Sequence, residues 1–169
     1  MRPHVLLSTL VCLLACAAPA RVFAQAHETK ELGLVHAALL IGDTHSPDQN
    51  GLTLGGDVEF RAWRALGFGV TGEHVNEPFR ENILLVAAVV HPTHGLKLTI
   101  GPGIERDRHG EAREPERHAL LRVGIGYDFP LAHGWTFDPD LAVDFVNGEH
   151  ALVYAFALGK ELGAHKAGR

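Results

Sequence analysis

Residues 119–160 alternate between apolar and small or polar side chains almost without interruption, in three runs separated by two short turns. In the first run Leu121, Val123, Ile125, Tyr127 and Phe129 share one parity, while Arg122, Gly124, Gly126 and Asp128 share the other. In the second, Trp135, Phe137, Leu141, Val143 and Phe145 oppose Thr136, Asp138, Asp140 and Asp144; in the third, Leu152, Tyr154, Phe156 and Leu158 oppose Val153, Ala155, Ala157 and Gly159. A β-strand sends successive side chains to opposite faces, so a period of two sustained this far predicts strands with one apolar face and one small or polar face.

The same plan recurs upstream, with strands expected over 31–42, 52–61, 65–74, 82–91 and 96–105. The fourth of these is apolar on both parities and gives no face. Turn-forming residues separate the runs, and the connection over 106–118 is almost wholly charged, which reads as a solvated loop. The fold class predicted is all-β: eight antiparallel strands, short turns at the end carrying both termini and longer polar loops at the other, which is the pattern of an up-and-down transmembrane β-barrel. Each strand is close to the roughly 9 to 11 residues needed to cross a bilayer at a tilt.

Residues 1–26 are set apart from that domain. Arg2 and His4 give a positive start, 5–15 is an apolar run, and small-residue cleavage signals follow at 22–24 and 24–26, so 1–26 is expected to be a secretory signal peptide and 27–169 the barrel domain. Leu13-Leu14-Ala15-Cys16 also has the form of a lipobox, which would make Cys16 a lipidated N-terminus, but Leu fits its second position poorly. Both cysteines, Cys12 and Cys16, fall in the signal, so disulfides and thiolate chemistry are not expected in the mature chain. A net charge of -5 argues against a nucleic-acid partner, which requires a basic face.

Alternation alone does not say which face points outward, because a soluble lipocalin-like barrel alternates too, with its apolar side chains inside. In that rival, Phe68, Val123 and Val143 would line a hollow for a small apolar ligand. Three features favour apolar-out. Glycine crowds the polar parity (Gly67, Gly69, Gly101, Gly103, Gly124, Gly126), which suits a narrow interior. The aromatic residues Phe60, Trp63, Phe68, Phe129, Trp135 and Phe137 gather at the turn end, as in an interfacial girdle. The charges of the polar parity, Asp57, Glu59, Arg61, Lys97, Glu105, Arg122, Asp128, Asp140 and Asp144, are of both signs and are expected to form an interior ion-pair network. The register expected for that network sets Lys97 against Asp128, Glu105 against Arg122, Asp57 against Gly69 and Glu59 against Gly67. Against the membrane reading stand Pro102 and Pro139, where bulges or kinks are expected, and a chain end, 163–169, without a terminal aromatic residue.

The sequence resembles the small eight-stranded outer-membrane barrels, the group that includes OmpA-type and OmpX-type membrane domains. The segments GLKLTIGPGIE, LLRVGIGYDF and DLAVDFVNGEHALVYAFALGK are similar to short bacterial proteins known only as outer-membrane β-barrel proteins. The resemblance implies a monomer in the Gram-negative outer membrane, in contact with membrane lipid and lipopolysaccharide and inserted by the barrel-assembly machinery. It implies no catalytic residue, cofactor or metal.

The residues offer little for chemistry. Of 12 histidines, His45, His74, His109, His118 and His150 fall near the long-loop rim and His91, His94 and His133 near the turn end, dispersed as interfacial and loop residues are. His91 and His94 could share a metal across a turn, but no further ligand follows at a recognised spacing. A lipid A-modifying barrel enzyme would need a nucleophile, and Ser46 beside His45 is the one serine after the signal. The acids Asp57, Glu59, Glu73, Asp138, Asp140 and Asp144 show no spacing that singles out an acid and a base, and read as half of the interior ion-pair network. Eight strands enclose an interior just wide enough for side chains, so the role expected is structural or a narrow passage, one that the acidic excess would bias toward cations, rather than enzymatic.

Overall fold

The computed structural model describes residues 34–162 apart from 48, 94 and 107–115. Nine antiparallel strands follow one another: β1 (Leu34–His45), β2 (Asn50–Trp63), β3 (Leu66–Val75), β4 (Glu81–Val90), β5 (Leu96–Arg106), β6 (Arg117–Tyr127), the two-residue β7 (Phe129–Pro130), β8 (Trp135–Val146) and β9 (Glu149–Leu162). Each strand pairs with its neighbour in sequence except β6 with β7, which both pair with β8, and β1 pairs with β9. The sheet therefore closes. The two partners of β8 keep one register, Gly126 opposite Asp140 and Phe129 opposite Phe137, so β6 and β7 are one wall strand interrupted at Asp128. The wall has eight strands, as the alternation predicts.

Alternation decides the faces along the wall, with Trp63, beyond a register shift at the end of β2, the exception. Leu39, Val58, Phe68, Val86, Ile100, Val123, Leu141 and Phe156 are all exposed, whereas Glu59, Glu73, Arg122, Asp138 and Asp144 are buried. The charged parity lies inside and the apolar parity outside. Phe68 and Val123 thus point away from the interior and Val143 shares their face, so the hollow that a lipocalin-like binder would need is not lined by them. β4, which the pattern left unassigned, turns Ile83, Leu85, Ala87 and Val89 inward and Leu84 and Val86 outward.

The ends differ from expectation in instructive ways. The polar stretch 43–51 was expected as a loop, but Asp43 and Thr44 extend β1 and Asn50 and Gly51 begin β2. Thr44 explains this, since its inward hydroxyl shares a 2.7 Å hydrogen bond with that of Thr53 across the pair. Asn147-Gly148 joins β8 to β9 with both residues at positive φ (51° and 88°), the turn that two-residue hairpins favour. Pro102 produces no bulge: β5 keeps register with β6 through Pro102 opposite Leu121, and with β4 on either side of it. Pro139 likewise stays in register with Phe156. The one register shift lies between Arg61 and Trp63. The proposed signal peptide, Cys12 and Cys16, the central part of the charged loop and residues 163–169 lie outside the described residues.

Glycine makes room where strands or charges crowd. A Cβ on Gly101 would lie 2.5 Å from the Cα of Ala87 on the neighbouring strand, a backbone contact that cannot swing away. Outward-facing Gly72 has nothing within 4 Å of that position. We expect Gly101→Ala to cost about 1–3 kcal/mol and Gly72→Ala to be neutral or slightly stabilising, read as urea midpoints of the barrel in lipid vesicles.

Candidate functional site

Among the described residues, the interior is where charged side chains gather from many strands, and it is built in layers. At the loop end, Val75, Phe79, Ile83, Leu85, Ala87 and Leu120 form an apolar cluster. Phe79 comes from the β3–β4 connection and sits over Gly51, whose absent side chain would otherwise meet its ring at 2.6 Å. This cap was not foreseen, because Phe79 belongs to a polar loop and β4 gave no face.

Below the cap lies the Arg122 layer. The Arg122 guanidinium donates from Nε and Nη2 to the two carboxylate oxygens of Asp144, both at 2.6 Å. It also donates from Nη2 to Glu73 Oε2 at 2.8 Å and from Nη1 to Glu73 Oε1. Asp144 is its direct cross-strand neighbour, while Glu73 reaches over from β3. All three side chains are at least nine-tenths buried. Two forked contacts on one planar cation satisfy its charge twice over, which suits arginine and not lysine.

Nearer the turn end a second layer holds Arg61 and Lys97. Arg61 donates to Asp128 at 2.7 Å and to Glu59 at 3.1 Å. Lys97 Nζ stands 3.2 Å from Asp140 and 3.7 Å from Asp128. Asp128 can face both cations because the wall is interrupted there: its N–H leaves the β8 ladder and donates to the carbonyl of Gly95. His91 Nε2 lies 2.8 Å from Glu59, and His36 Nε2 lies 2.8 Å from the hydroxyl of Thr136, which donates to Asp138 at 3.0 Å. Between the two layers is a cavity of about 80 Å³ bordered by Asp57, Thr71, Thr99 and Gly124, room for a few water molecules.

All nine residues expected in the network point into the barrel, but several partners differ. Lys97 is opposite Gly126, and it reaches Asp128 only diagonally. Glu105 is opposite His118, and Arg122 is opposite Gly101 on that side. Asp57 is opposite Thr71, and Glu59 is opposite Gly69, although the Glu59 carboxylate occupies the space that a Gly67 side chain would need. These are slips of two residues, or of four for Glu105, and even slips leave every face unchanged and so are invisible to a parity argument. Asp57 makes no ion pair among the described residues. Glu73 and Asp138 entered the sequence reading as interior acids without named partners; His36 did not enter it, and His91 was placed at the interface, yet both histidines are buried among lumen acids. Parity marks His36 and Glu73 as inward; the partner of His91 is set by tertiary placement alone. The six aromatic residues Phe60, Trp63, Phe68, Phe129, Trp135 and Phe137 all face outward and are exposed, with Phe129 and Phe137 6.4 Å apart between ring centroids.

Hydrolytic chemistry finds no support in this geometry. The Ser46 hydroxyl donates to the carbonyl of Gln49 at 3.4 Å, and His45 contacts Asn50 rather than Ser46. His94 lies outside the described residues, and no group of three metal-ligating side chains occurs among the described ones.

No protein-family model matches the chain, and no curated protein matches it in sequence. Solved structures do match in shape. The N-terminal β-barrel domain of Pseudomonas aeruginosa OprF gives a TM-score of 0.60 at 10% identity, covering 78% of this chain and 98% of that domain. Neisserial surface protein A gives 0.53 at 12% identity over 77% of this chain and 97% of that one. Ail of Yersinia pestis, solved with the heparin analogue sucrose octasulfate, gives 0.52 at 10% identity over 78% and 99%. The fold is that of the small eight-stranded outer-membrane barrels.

Removing the cation of a buried cluster strands its acids. Arg122→Met leaves Glu73 and Asp144 facing each other without a counter-charge and should destabilise the barrel by about 3–5 kcal/mol. Lys97→Met, at a somewhat more exposed site, should cost less. Thermal midpoints of the folded barrel in one lipid measure both; equal and negligible shifts would remove the network from any role in stability.

Proposed function

We propose that this chain is exported to the Gram-negative outer membrane and serves there as a monomeric structural barrel, without enzymatic activity or cofactor. The observation that carries the reading is the sorting of side chains: the outside of a closed sheet is apolar around the wall, while the charges are inside and most are paired. Such a surface is costly in water and suited to hydrocarbon, and closure leaves no backbone edge for lipid to meet. Its surroundings on this reading are membrane lipid and lipopolysaccharide, with the barrel-assembly machinery acting during insertion.

Between the two roles left open by the sequence, structural or narrow passage, the layered interior supports the first. The apolar cluster around Phe79 and the doubly clamped Arg122 lie in series across the interior. A conducting path would have to break the second and displace the first.

Fractionation of cells expressing the full chain, followed by gels with and without boiling, tests the location. Recovery in the outer membrane with heat-modifiable migration is expected; recovery in the soluble periplasmic fraction would overturn it. In planar bilayers the purified barrel should give no steady conductance, and a sustained unitary current from the wild-type chain would restore the passage reading.

A further inference from the structure

On four neighbouring strands the outward apolar surface ends at one level of the sheet. The register joins His74 of β3 to Asn82 of β4, Asn82 to Arg106 of β5, and Arg106 to Arg117 of β6. Two residues toward the turn end, on the same face, the corresponding row is Gly72, Leu84, Ile104 and Ala119. Apolar wall thus gives way to polar side chains in a single step across half the circumference, which is where hydrocarbon gives way to headgroups.

Within that row His74 and Asn82 satisfy each other, the ring Nδ1–H donating to Asn82 Oδ1 at 3.1 Å. Arg106 and Arg117 do not. They are exposed, stand directly opposite one another, and neither makes an ion pair or side-chain hydrogen bond with any described residue. Like charges directly opposite on a sheet repel, and a shared anion turns that repulsion into a two-pronged attraction. The opposite side of the rim lacks this character: the outward residues there include Asp43, whose carboxylate accepts the Tyr154 hydroxyl at 3.0 Å, and His150.

We propose that Arg106 and Arg117 form a docking site for a phosphate of lipopolysaccharide in the leaflet at the loop end, the two guanidinium groups gripping one phosphate from adjacent strands. The site rests on the outer-membrane reading. Charge complementarity and placement at the apolar boundary select a phosphorylated lipid, and lipopolysaccharide is the lipid whose phosphates lie at that depth on the side of the loops.

The test uses the full chain folded in octyl glucoside micelles, which carry no phosphate, with labelled lipopolysaccharide titrated in and binding followed by energy transfer from the barrel's tryptophans. Apparent affinity should fall about 25-fold in R106Q/R117Q, from about fivefold per arginine. Phosphatase-treated lipopolysaccharide should bind the wild type as weakly, an arm that needs no variant. Equal binding by wild type and variant, or by intact and dephosphorylated lipid, would overturn the site; phosphatidylglycerol competing as well as lipopolysaccharide would overturn the choice of lipid. A boiled and unboiled gel accompanies each preparation. A wild-type chain that never shows a heat-modifiable band fails the membrane reading, whereas a folded barrel indifferent to phosphate fails only this site.

Discussion

The pairing of β1 with β9, from Val35 opposite Leu162 to His45 opposite Leu152, is the contact on which the other features depend. Without it the sheet has two free edges, each a row of unpaired N–H and C=O groups that hydrocarbon cannot satisfy at any acceptable cost. With it, the apolar parity becomes a continuous outer surface and the other parity is sealed inside. An open sheet of the same sequence would expose Glu59, Arg122 and Asp144 to water, where their pairing would be worth little. Closure is therefore what gives the interior charges their energetic weight.

The interior shows how a narrow barrel accommodates those charges. Bulky ionic side chains need volume, and glycines on neighbouring strands supply it: Gly126 lies against Asp140 and Lys97, Gly67 against Glu59, and Gly159 against His36 and Thr136. Charge and void are distributed together. Arg122 is forked onto two acids in the more buried layer, whereas Lys97, a point charge, is shared between Asp128 and Asp140 beside Arg61 where some exposure remains.

Much of this was legible in the sequence because one physical rule, alternation, controls both strand count and face. Parity placed Arg122, Lys97, Asp128 and the rest of the charged set inside and Phe60, Phe68 and Phe137 outside. Parity cannot fix register, because a slip of two residues preserves it, and so the residue opposite Lys97 was misjudged, although its ion pair with Asp128 forms diagonally. Pro102 was expected to distort its strand, but a single missing donor can be absorbed where the ladder skips two pairings without shifting. The cap was hidden for a different reason: Phe79 reaches the interior from a loop, and no periodicity describes a loop.

The Asn147-Gly148 turn carries a consequence for assembly in time. It joins β8 to β9 with no slack, so that hairpin can form early from residues adjacent in sequence. The seam between β1 and β9 brings together the two most distant segments of the wall, and its chain-closure entropy is the largest in the molecule. The order of events follows from that inequality: hairpins accumulate first, and the ring shuts last. Until it shuts, both margins of the sheet stay available to a template that can offer a strand of its own.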